Sequence, residues 1–306
     1  MMRMLALIIS LILLSLLVAC APPPEEAPLS AIEVTDQLGR VVTLETIPQR
    51  IISLAPSNTE ILFALGLADK LVAVTDFCNY PPEAGEKPSI GGFSTPSIED
   101  IIVLSPDLIL ATSIHEKRII PQLEDKGLTV FVLNPGTIDE VLASITLTGK
   151  ITGKEREASR LVAEMQKRIK VVTGKISSLS EDQKPRTFYA LWHKPLMTVG
   201  SETLQDDLIE KAGGLNIAWD ITGYGDISLE AVIAASPEVI VAGAGHGSGG
   251  DLTFQFIKTE MRLRDVAARI NNRVYAMDAD LASRGGPRIV DALEQFAAFI
   301  HPELFK

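Results

Sequence analysis

Residues 97–112 read SIEDIIVLSPDLILAT, and residues 228–243, which begin 131 positions later, read SLEAVIAASPEVIVAG. Aligned without a gap, the two segments are identical at seven of sixteen positions, including the glutamates Glu99 and Glu230 and both Ser-Pro pairs. A repeat at this separation predicts two lobes of similar construction, one in each half of the chain.

Each copy of the repeat is typical of a short helix that leads into a buried strand. A serine stands at the N-cap position, a glutamate follows where the helix dipole favours negative charge, and a Ser-Pro pair ends the helix. The run after each proline is short and rich in branched apolar residues, as expected of parallel strands that are covered on both faces. The repeat therefore predicts an α/β fold.

The alternation of strand and helix continues on both sides of the repeats. From Ile51 onward, short β-branched runs alternate with helical segments, including a predicted helix over 115–126, which is the pattern of βαβ units and mainly parallel sheets. Between the halves, apolar residues at three- and four-residue spacing predict one long helix over 154–177. We expect two Rossmann-like lobes, residues 32–152 and 181–306, joined by a connecting helix within residues 153–180.

The first 31 residues have the composition of an export signal and a tether. Arg3 precedes an uncharged apolar run over 5–18, which is too short for a comfortable membrane span. The run closes on Leu-Val-Ala-Cys at Cys20, which resembles the lipobox of bacterial lipoproteins and implies cleavage before Cys20 and lipidation of that residue. A plain signal peptide or an N-terminal anchor is the alternative. Residues 21–31, rich in Pro and Glu, predict a polar spacer that holds an extracytoplasmic protein at the cell membrane.

Charge and cysteine content exclude several classes of function. The net charge of −11 argues against nucleic acid as a partner, because phosphate binding requires clustered Lys and Arg. With Cys20 assigned to lipid, Cys78 stands alone, so no disulfide is expected within the chain. We interpret Cys78 as a small buried side chain, with a reactive thiol or a metal ligand as the alternative.

The sequence lacks the usual signatures of catalysis. The nucleophile-elbow motif Gly-x-Ser-x-Gly, the zinc-binding motif His-Glu-x-x-His and the Walker A loop are absent. The histidines are scattered singly at His115, His193, His246 and His301. Residues 245–250 read GHGSGG and fit a dinucleotide fingerprint, but they fall in the second half of the chain, not in the first βαβ unit. We predict a binding protein without catalytic residues or cofactors. A nucleotide-dependent oxidoreductase and a metal-binding lipoprotein are the alternatives.

Aromatic side chains are scarce, so their positions are informative. Several of them fall at predicted carboxyl ends of strands or in the loops that follow, where ligands bind in open α/β sheets. These are Phe77, Tyr80, Phe93, Trp192, Trp219 and Tyr224. They predict the lining of a wide apolar cleft, with ordinary loop packing as the alternative for each one.

Four motifs together resemble a known family. They are residues 51–62 (IISLAPSNTEIL), 79–83 (NYPPE), 90–93 (IGGF) with Glu99 following, and 286–289 (GPRI). The chain from about Ile32 onward is similar to the substrate-binding proteins of ABC importers for cobalamin, siderophores and haem, and most of all to the cobalamin branch. The resemblance implies two α/β lobes joined by one rigid helix, a class III periplasmic-binding-protein fold, with the ligand between the lobes.

The resemblance also implies roles for individual residues. Phe77, Phe93 and Tyr224 would contact the corrin ring, and Asp280 and Arg284 would bind ligand amides. Trp192 and the 245–250 loop with His246 are added from their positions alone. This chain has Phe or Tyr where the best-known cobalamin member has larger or hydroxylated aromatics, so the exact corrinoid is left open.

The resemblance further implies that Glu99 and Glu230 are exposed side chains, one on each lobe, that pair with arginines on the two halves of a permease dimer. Complementing the helix dipole would alone explain either glutamate. The resemblance thus implies a monomer that captures a corrinoid, cobalamin foremost, and delivers it to a permease dimer with its ATPase subunits. The alternative ligand is a ferric siderophore or haem, for which Tyr224 or His246 would bind the iron.

Overall fold

The half of the chain before the long connecting helix, which we call the N-terminal lobe, is built on a four-stranded parallel sheet. The computed structural model describes residues 31–245 and 251–305 of the chain. The strands of this lobe are β1 (Ile32–Thr35), β2 (Val41–Leu44), β3 (Ile51–Ser53), β4 (Leu71–Val74), β5 (Gly91–Gly92), β6 (Thr95–Pro96), β7 (Leu108–Ala111) and β8 (Val130–Val132). β4, β3, β7 and β8 form the sheet in that order, while β1–β2 and β5–β6 are separate antiparallel pairs. β3, β7 and β8 are wholly buried, which explains their apolar sequences.

Helices flank this sheet and have local sequence signals at their ends. They are α1 (Pro56–Ala64), α2 (Ile98–Val103), α3 (Ile119–Glu124) and α4 (Ile138–Thr152). The N-cap side chains of Ser97 and Thr137 accept backbone N–H bonds at the starts of α2 and α4. Gly153 ends α4 with a φ of 67°, a left-handed conformation that favours glycine.

One long helix, α5 (Glu155–Ile176), leads to the C-terminal lobe. Its buried residues Ala158, Met165 and Val172 recur every seven positions and form one apolar stripe. Arg168 on the same helix donates to Asp291 and Glu294 at 2.6 Å each. The helix predicted over 154–177 is thus observed within two residues at each end, because its periodicity is a local property.

The C-terminal lobe, residues 181–305, has a mixed sheet. Its strands are β9 (Arg186–His193), β10 (Leu196–Val199), β11 (Leu215–Asn216), β12 (Tyr224–Asp226), β13 (Val239–Ala244) and β14 (Val274–Asp278). The order is β12-β10-β9-β13-β14, with β11 also on β9; β10 and β12 are antiparallel to their neighbours. The helices are α6 (Leu204–Lys211), α7 (Leu229–Ala235), α8 (Leu252–Thr259), α9 (Ala267–Ile270), α10 (Ala279–Ser283) and α11 (Ile289–Ile300).

Among the described residues, one of three apolar clusters spans both lobes, and each lobe also has a cluster of its own. A single cluster of buried side chains includes Ile61 and Val141 of the N-terminal lobe, Met165 of α5, and Leu208 and Leu293 of the C-terminal lobe. No helix within the described parts of the chain has both the length and the apolar character required to cross a membrane. The shared core indicates that the lobes are packed against each other and are not merely tethered.

Two parts of the N-terminal lobe differ from expectation. The helix predicted over 115–126 is observed only as α3, because His115 closes a separate turn. Its Nδ1 lies 3.1 Å from the backbone nitrogen of Thr112 and accepts that N–H bond. The β1–β2 hairpin was not predicted from the sequence. Its turn is held by Asp36, whose carboxylate accepts bonds from the backbone N–H groups of Leu38 and Arg40.

Candidate functional site

Loops that follow the carboxyl ends of parallel strands in the two lobes meet at one place. In the N-terminal lobe, Phe77 lies in the loop after β4; in the C-terminal lobe, Arg284 follows α10, which begins directly after β14. Arg284 Nη2 lies 3.3 Å from the backbone oxygen of Phe77 and donates to it across the lobes. Ligands of open α/β sheets bind outside the carboxyl ends of strands. We call this meeting place of the two lobes the cleft and treat it as the candidate binding site.

A buried ion cluster joins the lobes beside the cleft. Glu60 on α1 has only 2% of its side chain exposed. Arg288, just before α11, donates to both carboxylate oxygens, with Nε–Oε2 at 2.9 Å and Nη2–Oε1 at 2.7 Å. Arg284 Nη1 lies 3.3 Å from Glu60 Oε1. These hydrogen bonds raise the pKa of Arg288, so the guanidinium stays charged, as burial of the Glu60 carboxylate requires.

The loop after β4 completes the cluster. Arg284 Nη1 donates to Asn79 Oδ1 at 2.7 Å, and Arg284 Nη2 donates to Asp280 Oδ2 at 2.5 Å. The Arg288 guanidinium stacks over the Tyr80 ring, 3.8 Å from its centroid. Both arginines of this cluster are therefore engaged by protein groups.

Two adjacent glycines let the lobes approach closely at this point. A Cβ on Gly285 would lie 2.6 Å from Pro135 Cγ, closer than real Cβ contacts, and one on Gly286 would lie 3.3 Å from Glu60 Oε2. Any side chain at Gly285 would therefore push the lobes apart.

Phe93 lies in the turn between β5 and β6 and is held in place by His115. The rings are 5.4 Å apart and nearly perpendicular, and His115 Nε2 lies 2.7 Å from the Phe93 backbone oxygen. Because Nδ1 accepts from Thr112, Nε2 carries the proton and donates to Phe93. Burial lowers the pKa of His115, which favours this neutral form.

On the C-terminal side, the two predicted aromatics lie on strands that flank β10. Trp192 is the next-to-last residue of β9 and pairs with Met197, and its Nε1 donates to the Lys194 backbone oxygen at 3.0 Å. Tyr224 begins β12 and donates from its hydroxyl to Gln205 Oε1 at 3.2 Å. The Tyr224 ring is largely exposed while its hydroxyl end packs on buried Gln205, and burial raises the pKa of the phenol.

The predicted ligand-binding residues thus lie on different sides of the cleft. Phe77, Asp280 and Arg284 lie together, Phe93 lies on the N-terminal side, and Trp192 and Tyr224 lie on the C-terminal sheet. His246 and the rest of the 246–250 segment lie outside the described residues, as does Cys20. The contacts of all these residues with a ligand stay predictions.

Trp219 does not belong with the cleft aromatics, so that part of the sequence prediction was wrong. It lines a separate cavity of about 710 Å³ together with Glu181, Lys184, Arg186 and Glu210. Arg186 is the first residue of β9, so the cavity lies at the amino end of this strand. The aromatic follows the short strand β11, which pairs only with that end of β9.

Glu99 and Glu230 occupy equivalent positions on the two lobes. Each is the second residue of its helix, α2 or α7, and each side chain is exposed. The repeat seen in the sequence is therefore a repeat of local structure on the surface. Their role stays a prediction.

The described residues offer no evident metal site. Across residues 31–245 and 251–305, no group of three or more His, Cys, Asp or Glu side chains is arranged to hold a metal ion. Cys78 is buried, and its Sγ lies 3.2 Å from Thr59 Oγ1 and 3.3 Å from Thr75 Oγ1. These are the surroundings of a packed core thiol.

The sequence missed the residues that join the lobes. Glu60 and Arg288 both lie inside the motifs quoted above, yet their spacing of 228 residues gave no reason to pair them. Only two signals were available in the sequence. Glu60 is the one charged residue in the stretch 51–62, and Arg288 stands between the glycine pair and α11.

Fold and site together define a class of protein. It is a two-lobed binding protein whose lobes are joined by one helix and whose candidate site lies between the lobes. The chain belongs to the periplasmic binding protein family, which matches residues 51–281. It is therefore the substrate-binding component of an ABC importer, of the group that serves cobalamin, haem, siderophores or metals, and it is not an enzyme. A small-molecule ligand and a permease with its ATPase are the partners of such a component.

Relatives illustrate the range of this group. An uncharacterized ABC transporter substrate-binding lipoprotein of Bacillus subtilis is 32% identical, with 90% of this chain and 87% of the relative covered. The solved periplasmic vitamin B12 binding protein of Vibrio cholerae is 30% identical, with a TM-score of 0.73 over 85% of this chain and 99% of that one. A periplasmic heme-binding protein from Roseiflexus sp. RS-1 is 26% identical, with a TM-score of 0.73 over 84% of this chain and 99% of its own.

Proposed function

We propose that this protein captures a corrinoid, cobalamin foremost, in the cleft and delivers it to an ABC permease. The observation that carries the proposal is the charge state of the cleft. Arg284 and Arg288 are neutralised by Glu60 and Asp280, while the Phe77 ring is largely exposed beside them. A corrinoid is a broad ring system with neutral amide arms, which suits apolar stacking and hydrogen bonding without free cations.

Haem and ferric siderophores fit this arrangement less well. Their carboxylates or other anionic groups require uncommitted arginines, and the two arginines of the cleft floor are already paired. Haem iron also requires an axial ligand. The Tyr224 hydroxyl already donates to Gln205 Oε1 at 3.2 Å, so binding iron would require it to give up this bond. Resemblance to the Vibrio cholerae vitamin B12 binding protein supports the same choice.

The test is a titration with cyanocobalamin, followed by tryptophan fluorescence and by calorimetry. The chain has two tryptophans: Trp192 is a predicted ligand contact, and Trp219 lines the separate cavity. We expect Trp219→Phe to retain a saturable fluorescence change and Trp192→Phe to lose it, with calorimetric binding in both. Haem and a ferric siderophore serve as parallel ligands. No saturable heat at micromolar cyanocobalamin, or tighter binding of haem, would reject the corrinoid assignment.

The proposal includes docking through Glu99 and Glu230. Charged groups at the rim of an interface orient the partners and speed association, and two equivalent acids fit two equivalent basic sockets. We expect Glu99→Ala with Glu230→Ala to leave corrinoid affinity unchanged and to reduce uptake through the permease. If ligand affinity falls as much as uptake, the glutamates serve the fold and not docking.

The proposal also places the protein on the outer side of the cell membrane as a monomer that is anchored through lipid on Cys20. The naming of the Bacillus subtilis relative as a lipoprotein supports this placement. Cys20→Ser is expected to move the protein from the membrane fraction to the soluble extracytoplasmic fraction. An unchanged membrane fraction would contradict the anchor.

A further inference from the structure

The two surface helices that carry Glu99 and Glu230 repeat each other in backbone geometry, not only in sequence. The N-cap serines, Ser97 and Ser228, each accept the N–H of the residue three positions later, at 3.2 and 3.1 Å. At the other ends, Ser105 and Ser236 both adopt left-handed conformations, with φ of 46° and 43°. A non-glycine residue rarely adopts this conformation, so its occurrence at both equivalent serines is a specific structural repeat.

An arginine clamps the carboxyl end of each helix in the same way. Arg50, which precedes β3, donates from Nη2 to Leu104 O at 2.6 Å and from Nε to Ser105 O at 3.2 Å. Arg186, which begins β9, donates to the equivalent oxygens of Ala235 and Ser236 at 3.0 and 3.1 Å. Cations at these unpaired carbonyl groups stabilise helix ends. Each lobe therefore fixes its surface helix to the first strand of its main sheet.

The clamp is completed by an acid after each Ser-Pro pair. Asp107 accepts the backbone N–H of Arg50 at 2.9 Å, and Glu238 accepts that of Arg186 at 3.0 Å. Two unrelated lobe surfaces would not be expected to retain the same cap, turn, arginine and acid.

The repeated surface includes an apolar side chain next to each glutamate. Ile102 and Ile233 follow Glu99 and Glu230 by three residues, which places them on the same helix face one turn later. They are 39% and 40% exposed. Val103, which is more exposed than either, has the small Ala234 as its counterpart, so the repetition selects the isoleucines and not the apolar surface in general.

We propose that each glutamate and its isoleucine form one docking patch, Glu99 with Ile102 and Glu230 with Ile233. The occupant is the permease, whose two halves would each offer a cation beside an apolar side chain. The proposal rests on the docking role given above and adds the apolar half of each contact. A permease with two equivalent halves presents the same binding site twice, which matches a chain that presents the same patch on both lobes. One exposed isoleucine on its own would be ordinary and would require no explanation.

The two halves of a patch would act on different rates. Exposed charges at an interface mainly govern association and its salt dependence, while buried apolar contacts mainly govern dissociation. Truncating an apolar interface residue commonly weakens binding by about tenfold when it is an important contact. The isoleucines are therefore distinguishable from the glutamates by kinetics.

The experiment measures binding of the protein to the permease with its ATPase subunits in nanodiscs of phosphatidylethanolamine and phosphatidylglycerol. For Ile102→Ser with Ile233→Ser we expect dissociation about tenfold faster, with unchanged salt dependence and unchanged cyanocobalamin affinity. Ile102→Val with Ile233→Val should restore most of the loss. Val41→Ser with Val171→Ser, two exposed branched residues on β2 and α5, is the matched control and should bind like wild type.

Each contrary result has a defined meaning. Normal dissociation of the isoleucine variant, together with slow association of Glu99→Ala with Glu230→Ala, would overturn the patch and leave docking intact. Normal binding of the glutamate variant, or no binding of wild type, would reject the docking role itself. Equal wild-type binding to nanodiscs that lack the permease would indicate a lipid surface. If wild type self-associates in sedimentation and the isoleucine variant does not, the patch binds a second copy of the chain. Binding to lipid alone or to a second copy would overturn the proposal.

Discussion

Replacing Glu60 by Gln is expected to destabilise the protein by about 3 kcal/mol, because the substitution leaves two nearly buried guanidinium groups without their shared anion. Removing one partner of a buried ion pair costs about 3–5 kcal/mol. We place Glu60→Gln at the lower end because Arg284 keeps Asp280 and Arg288 keeps 20% of its side chain exposed. For a chain of this size the loss corresponds to a fall in melting temperature of roughly 6–12 °C.

The assay is equilibrium unfolding in urea, supported by thermal unfolding, of Glu60→Gln, Arg288→Met and the double variant. Because the two side chains contact each other directly, the cycle should return a coupling free energy of about 2 kcal/mol. Glu181→Gln is the control, since its pair with Lys184 is exposed and should contribute at most about 1 kcal/mol. A loss for Glu60→Gln no larger than that of the control, with zero coupling, would refute the reasoning that this cluster joins the lobes.

Three further outcomes are expected from the structure. The fold lowers the pKa of His115, so the unfolded chain binds the proton more tightly than the folded chain does. The free energy of unfolding should therefore be highest above about pH 6.5 and should fall as the pH decreases below that value. His115→Gln should remove that decline in urea unfolding at pH 7.5 and 5.5, and an equal decline in both proteins would contradict it. Arg50→Ala and Arg186→Ala should each lower the free energy of unfolding by about 0.5–1.5 kcal/mol in the same assay, because exposed carbonyl oxygens exchange a charged donor for water, and no measurable loss in both would count against the clamps. Gly285→Ala should destabilise the protein because its Cβ would lie 2.6 Å from the Pro135 ring, and unchanged thermal stability would show that the lobes can separate there at no cost.

Local signals in the sequence were sufficient for much of the fold. The capping serines predicted the starts of α2 and α7, and apolar residues at three- and four-residue spacing predicted α5. These features depend on neighbours within a few turns, so no knowledge of distant contacts was needed. His115 shows where this reasoning fails, because a side chain that bonds back to Thr112 ends a helical pattern that periodicity alone would continue.

The candidate site was only partly accessible to the same reasoning. The carboxyl ends of strands predicted that Phe77 and Phe93 would lie beside a cleft, because parallel sheets share that edge. Trp219 fulfilled the same criterion and lies elsewhere, since β11 pairs only with the amino end of β9. Which strand end a loop reaches depends on sheet order, and sheet order is a property of the whole lobe.

By itself the sequence determined that the chain has two similar α/β halves, one long connecting helix and a repeated helix with an exposed glutamate. Helix caps, periodicity and repeats depend only on residues close together along the chain, so they can be recognised without the tertiary structure. Only the tertiary structure decided that Glu60 is shared by Arg284 and Arg288, and that Arg50 and Arg186 clamp equivalent helices. These partners are separated by 49 to 228 residues. A buried charge finds its partner where strand ends and helices converge in space, and no spacing along the chain specifies that convergence.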